Sequence, residues 1–154
     1  MLVREAAPAD LAAVRDLVAA AGLPLAGLDA AALALVADAA GQLVGAVALE
    51  RHGAGDDTAY LLRSAAVDPA WRGRGVGAAL TAAALSRVDD TGAPVGLLTE
   101  TASEYFPRFG FAPVDREQLP AALADSAELR GACPASAHAL LRPATDTTRG
   151  GDLT

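Results

Sequence analysis

Apolar residues along this chain switch repeatedly between helical and strand spacing, and the switches divide it into alternating elements. Leu2–Glu5 reads as a short strand. Pro8 and Asp10 then open a helix, because a fixed φ and an acidic side chain both suit a helix N-terminus. Leu11, Val14, Leu17, Val18 and Ala21 recur at helical spacing as one buried stripe, which Gly22 and Pro24 end. Residues 27–33 predict a second, short helix. Ala34–Ala37 and Leu43–Glu50 predict two strands joined through Gly41 as a hairpin. His52–Thr58 is a Gly/Asp loop, and Ala59–Val67 is a mostly apolar strand interrupted by Arg63 and Ser64. After a Gly-rich turn, Val76, Ala79, Leu80, Ala83, Ala84, Arg87 and Val88 return to helical spacing. Pro94–Glu100 predicts a strand, Ser103–Phe109 a short helix capped by Ser103, and Phe111–Val114 a strand. Gln118–Leu129 predicts an inserted helix and Ala135–Leu141 a closing strand. Residues 1–143 thus read as one domain, with 144–154 as a disordered tail in which apolar periodicity stops.

Composition narrows the chemistry. At 154 residues the chain has room for one real core, and its 53% hydrophobic content is inflated by alanine, which points to a compact, helix-rich domain. The 12 Lys and Arg against 19 Asp and Glu leave a formal charge of −7, which speaks against nucleic acid as a partner. The single cysteine, Cys133, has no disulfide partner and supplies no thiolate cage, and His52 and His138 lack neighbours at metal-ligand spacing, so no metal is expected. Met1–Asp10 lacks the basic-then-apolar layout of a secretion signal, and no apolar stretch reaches the ~20 residues of a membrane span. A cytoplasmic protein without a membrane anchor is expected.

The sharpest chemical signal is the run Val67, Asp68, Pro69, Ala70, Trp71, Arg72, Gly73, Arg74, Gly75, Val76, Gly77. It follows a strand, opens a helix, and offers unencumbered backbone N–H groups flanked by two arginines, a place suited to a pyrophosphate. Glycine lets the backbone come close to phosphate oxygens, while the helix dipole and Arg72 or Arg74 offset their charge. A P-loop ending in Lys and Ser/Thr is absent, and the glycine spacing differs from the dinucleotide fingerprint.

This run resembles the signature of the GNAT superfamily of acetyl-CoA-dependent N-acetyltransferases: Arg or Gln, two residues, Gly, one residue, Gly or Ala. The resemblance extends from Leu2 to about Arg142 and includes Tyr105, Phe106, Pro107, Arg108, Phe109, Gly110, Phe111. Leu61–Ser64, Leu97–Thr101 and Cys133–Ala137 look more narrowly like the arsenic-resistance acetyltransferase branch. The resemblance implies an α/β (α+β) fold: a central mixed, mostly antiparallel twisted sheet of about seven strands, the fourth and fifth splayed, flanked by helices. It implies acetyl-CoA (coenzyme A) as cofactor. Backbone groups of Ala66 and Val67 would pair with the pantetheine arm, and Arg72, Gly73, Arg74, Gly75, Val76 and Gly77 would hold the pyrophosphate. A fourth-strand amide would polarise the thioester carbonyl.

The usual tyrosine acid of the family stands four residues before the Gly of the Gly-Phe pair, and here that position is Phe106, a departure from the pattern. Phe106 then packs beside the cofactor, and either the adjacent Tyr105 or water protonates the leaving thiolate. Glu50 and Glu100, at predicted strand ends, are the candidate bases, each equally readable as a solvated carboxylate. Arg63 interrupts an apolar run and either pairs with Glu50 or grips a substrate carboxylate. Ser64, Thr99 and Thr101 are candidate substrate hydrogen-bonding groups. Trp71 is expected under the loop, and Cys133 as a partly buried, inert thiol. The expected reaction is acetyl transfer to the primary amine of a small, amino-acid-like molecule, including arsenic-containing or phosphinate antimetabolites. A non-catalytic acyl-CoA sensor and a protein or peptide N-acetyltransferase are the alternatives. A homodimer through an exposed Ala135–Leu141 edge is also open.

Overall fold

The computed structural model describes residues 1–100 and 102–145. Its seven strands are β1 (Leu2–Glu5), β2 (Leu33–Ala39), β3 (Gln42–His52), β4 (Ala59–Val67), β5 (Val95–Thr99), β6 (Ala112–Val114) and β7 (His138–Arg142). They form one sheet in the order β1-β2-β3-β4-β5-β7-β6. Every neighbouring pair is antiparallel except β4 and β5. Two helices pack on the sheet, α1 (Leu11–Ala20) and α2 (Val76–Asp89).

Strand alternation decides which helix covers which face. Leu35, Ala37, Val47, Leu49 and Leu62 point into a core shared with Val76, Leu80, Leu85 and Val88 of α2. The intervening Val36, Ala46, Ala48 and Ala66 face Val14 and Val18 of α1. The α2 contact is close at Gly45, where an added Cβ would stand 2.8 Å from Val76 Cγ1 and 2.9 Å from Leu80 Cδ1. No helix of the described residues is long and apolar enough to cross a membrane.

Several expectations need correction. Residues 27–33 hold only the 3-10 turn Leu28–Ala30, and Leu33 already belongs to β2. Residues 103–109 form no Ser103-capped helix; only Phe106–Phe109 winds, as a 3-10 turn. Gln118–Leu129 is not a helix. Leu119 and Pro120 are extended, as a residue before proline prefers, and the segment folds as separate turns at Arg116–Gln118, Ala121–Asp125 and Glu128–Ala132. Within the stripe of α1, Val14 and Val18 are buried but Leu11 is exposed. The closing strand runs His138–Arg142 and lies between β5 and β6, so it is no free edge; β1 and β6 are the edges. Order also extends two residues into the expected tail, where Thr145 N–H donates to Gly92 O at 3.0 Å; the rest of the tail lies outside the described residues.

Because buried side chains already fill the space at Gly45, Gly45→Ala should cost about 1–3 kcal/mol. The measurement is a lowered urea midpoint with an unchanged slope.

Candidate active site

The site is built where β4 and β5 part. Their parallel pairing is limited to Tyr60 with Val95 and Leu61 with Gly96. Beyond Leu61 the strands diverge, and β4 also bulges against β3: Ala46 pairs with Ala66 and Ala48 with Arg63, leaving Ser64 and Ala65 opposite Val47. Ser64 holds a left-handed φ of 59°, an uncommon state for serine. The bulge turns Ala65 out into the opening, where it is exposed.

One arm of the opening is a groove of about 750 Å³ running along Ala65–Val67 to the Gly-rich loop and the start of α2. The loop is shaped locally. Asp68 Oδ1 accepts the Ala70 N–H at 2.9 Å across a 3-10 turn at Pro69–Trp71, and Gly73 and Gly75 take φ of 79° and 82°. Those conformations aim the first N–H groups of α2, which have no partner within the helix, at the groove. Arg72, Gly73, Gly75, Val76, Gly77, Tyr105, Phe106 and Arg108 line it. Arg74 instead stacks its guanidinium 5.0 Å from the Trp71 ring centroid. Arg108, which sequence reasoning did not single out, lies 4.4 Å over the Tyr105 ring. The Tyr105 hydroxyl stands 3.6 Å from where a Cβ on Gly77 would be, at the helix start. Burial pushes that phenol above its ordinary value, with Arg108 opposing in part.

The other arm is a pocket of about 410 Å³ that meets the groove at Ala65, Ala102 and Phe106. Ser64, Thr99, Glu100, Glu128 and Cys133 lie on its wall. Ser64 Oγ accepts the Arg63 Nε–H at 3.0 Å, and Thr99 Oγ1 accepts the Ala102 N–H at 3.0 Å. Each hydroxyl keeps its own hydrogen to donate. Thr101 lies outside the described residues.

Arg63 and Glu50 meet because of register. Arg63 sits opposite Ala48 and Glu50 opposite Leu61, so the two are diagonal neighbours on the α1 face, with small alanines beside them. Arg63 Nη1 donates to Glu50 Oε2 at 2.8 Å and to Ala26 O at 2.7 Å, and Nη2 donates to Pro24 O at 2.9 Å. Gly27 permits this: a Cβ there would lie 3.2 Å from Nη1. The guanidinium is fully buried. Its Nη donors are thus engaged by Glu50 and the two carbonyls, while Arg63 also contributes to the pocket wall. Glu50 is not at a cleft-facing strand end, since β3 continues to His52 and His52 Nε2 stands 2.7 Å from Glu50 Oε1. Burial is the largest influence on Glu50 and pushes its carboxyl up. Hydrogen bonds from Arg63, His52 and Ser126 together outweigh it and hold the group below its ordinary value.

Glu128 escaped the sequence reading because its segment was assigned to a helix; the only local hint is a glutamate close before the Cys133-Pro134 turn. It is buried, with Oε2 at 3.3 Å from Arg63 Nε. Burial again dominates and raises its carboxyl, opposed incompletely by Arg63 and a Cys133 hydrogen bond and reinforced by Glu50. Cys133 is pushed up to about 12 by burial and by Glu128, so its thiol stays protonated at neutral pH.

The depressed Glu50 group contributes stability that is complete above its ordinary value of 4.5 and lost as pH falls through its folded-state value. Glu50→Gln should lose roughly 3 kcal/mol at neutral pH, at the low end for a broken buried pair because Glu128 stays beside Arg63. Urea unfolding repeated in acid should show the gap to wild type narrowing.

Residues 30–113 match the acetyltransferase (GNAT) domain family model. No curated protein matches the sequence. Among solved structures, N-acetylglutamate synthase from Neisseria gonorrhoeae, complexed with coenzyme A and N-acetyl-glutamate, superposes with a TM-score of 0.76 at 21% identity. The alignment covers 94% of this chain and 35% of that one, so this chain spans about a third of that enzyme's length. A Mycobacterium tuberculosis protein in complex with CoA and NLQ gives a TM-score of 0.72 at 24% identity over 95% of this chain and 100% of the other. A GNAT family acetyltransferase from Brucella melitensis in complex with acetyl-CoA is 30% identical, with a TM-score of 0.60 over 72% and 82% of the two chains. A splayed fourth and fifth strand, a glycine loop opening a helix and a family match over more than half the sequence lead to one conclusion: the chain belongs to the GNAT acetyltransferase family.

Proposed function

We propose that this protein transfers the acetyl group of acetyl-CoA to the primary amine of a small, amino-acid-like molecule. The observation that carries the reading is the continuity of the two arms: a groove suited to a phosphorylated, extended cofactor opens at Ala65 and Phe106 into a pocket of small-molecule size. Amides of Gly73, Gly75, Val76 and Gly77 hold the pyrophosphate, with Arg72 and Arg108 on the groove wall. Backbone groups of Ala66 and Val67 pair with the pantetheine arm, and the bulge at Ser64–Ala65 brings a backbone amide to the thioester carbonyl. Arg74 acts one step back, bracing the loop through Trp71.

The amine nitrogen attacks the carbonyl carbon, the amide bond forms, and the carbon–sulfur bond breaks as the thiolate leaves. Phe106 supplies an apolar wall at that point and no proton. Tyr105, beside Gly77, borders the cofactor and gives its phenol to that arm. Glu50 works through Arg63, which it neutralises and fixes.

The narrower reading is detoxification of an arsenic-containing or phosphinate amino acid. What supports it is that residues 62–64 and 97–100, with Cys133, Pro134 and Ala137, all within the segments that carry the resemblance to that branch, border a single pocket. The free hydroxyl hydrogens of Ser64 and Thr99 suit the oxygens of a carboxylate, phosphinate or arsonous group. Acetylation removes the ammonium charge by which a target would recognise the compound.

Thiol release from acetyl-CoA, measured across amino acids, an arsenical and a phosphinate amino acid, simple amines and peptides, tests the assignment. Turnover with small amino acids is expected. Binding without thiol release points to a sensor, and turnover confined to peptides points to a protein acetyltransferase. Gly75→Val should weaken acetyl-CoA binding at least about tenfold, the loss of one charge-assisted amide contact. Calorimetry reads the affinity, and an unfolding curve on the same sample checks the fold.

A further inference from the structure

We propose that Glu128 receives the acceptor's ammonium group and withdraws the proton that blocks its lone pair. The assignment rests on the acetyl-transfer reading above and goes beyond it by naming the base and the anchor for the amine.

The argument begins with charge. Arg63 is the only cation within salt-bridge distance of Glu50 or Glu128 that is charged regardless of pH among the described residues, and both carboxylates lean on it. Its donors are unevenly shared. Nη1 serves Glu50 and Ala26, Nη2 serves Pro24, and Nε is directed to Ser64 Oγ at 3.0 Å, closer than Glu128 Oε2 at 3.3 Å. Glu50 has His52 as a second partner. Glu128 has the weaker remainder of Arg63 and the poor S–H donor of Cys133. With both carboxylates ionised, Arg63 offers one positive charge to two negative ones, and Glu128 holds the weaker share of it, so its charge is the less compensated. Such a charge is costly unless a cation joins it.

Geometry says where that cation would come from. Glu128 is 3% exposed, yet it forms part of the pocket wall alongside Arg63, whose Nη donors are already engaged by Glu50, Ala26 and Pro24, and alongside Ser64 and Thr99. Glu50 is absent from that wall and Glu100 is solvent-exposed. A primary ammonium entering the pocket is the group that completes the cluster. The surroundings also set the basicity: Arg63 from β4, Glu50 from β3 and Cys133 from the following turn are the polar groups at the Glu128 carboxyl, with His52 and Ser126 acting through Glu50 and Arg116 through Cys133, while the Ser126 hydroxyl also accepts the Glu128 backbone N–H. Burial raises the Glu128 carboxyl more than Arg63 and the Cys133 hydrogen bond lower it, and Glu50 adds to the rise, which leaves a carboxylate more basic than an exposed one and suited to proton abstraction.

The step balances. One ammonium proton passes to a Glu128 oxygen, leaving a neutral amine and a carboxylic acid. The nitrogen bonds to the thioester carbon, giving a tetrahedral adduct with a positive nitrogen and an oxyanion. The adduct collapses with loss of the thiolate, and the second N–H proton ends on sulfur. Glu128 returns its proton to solvent when the amide departs.

Glu128→Gln and Glu128→Asp test this with full-length protein and an amine that the wild type acetylates. The Gln variant should bind acetyl-CoA as wild type does in calorimetry yet lose about 100-fold or more in kcat/KM. Its activity should climb with pH towards the amine's own pKa, because it depends on amine deprotonated in solution, whereas wild type shows an acid limb set by a carboxylate. The Asp variant should restore that limb with part of the rate, a rescue that a purely structural role does not predict; should Gln unfold, Asp against wild type decides by the same limb. A folded Gln variant within about threefold of wild type in kcat/KM, with the same pH profile, overturns the Glu128 assignment alone. A wild-type protein that releases no thiol with any amine overturns the acetyl-transfer reading and this one with it.

Discussion

Everything at the site follows from two strands ceasing to pair. After Leu61 and Gly96 the parallel ladder between β4 and β5 stops, and the next residues of both strands face an opening where a sheet would otherwise supply partners. An extended ligand arm can provide the missing hydrogen bonds. The bulge at Ser64–Ala65 adds to the effect by turning β4 away from the ladder at the point where groove and pocket meet. Phe106 keeps the parted strands from becoming a void: it is buried against the α2-side core while still touching both arms of the opening.

The opposite face of the same strands carries a second constraint. Small residues, Ala46, Ala48 and Ala66, dominate there, and they leave room for a whole guanidinium beneath α1 and the loop at Gly27. Burying Arg63 commits the fold to supplying acceptors, and it does so from three places: Glu50 on β3, the carbonyls of Pro24 and Ala26, and Glu128 from the turns before β7. One arginine thereby ties three separate parts of the chain to the pocket. Because its charge is divided between two carboxylates, one of them remains under-neutralised, and that imbalance is chemically useful where an ammonium must bind and then lose a proton.

Much of this was legible in the sequence wherever the signal was local. Ala59–Val67 was read with the observed bounds because an apolar run between a Gly/Asp loop and a proline has few alternatives. The glycine loop was legible because backbone geometry near Gly73 and Gly75 depends on those residues and their immediate neighbours. The segment from Gln118 to Leu129 misled because its apolar residues fit a helical period that Pro120 interrupts, and Leu123 instead packs on Ala59 and Leu61 from a 3-10 turn.

What sequence alone determined, then, was the order of the seven strands and of α1 and α2, the glycine loop that opens α2 and the absence of a phenol at Phe106, all set by neighbours along the chain. Tertiary structure decided the rest. Which carboxylate meets Arg63 depends on the β3–β4 register, and Glu128 joins them only because turns distant in sequence fold back under the sheet. Ion-pair partners and the basicity of a buried group are properties of surroundings in space, and no spacing along one strand encodes them.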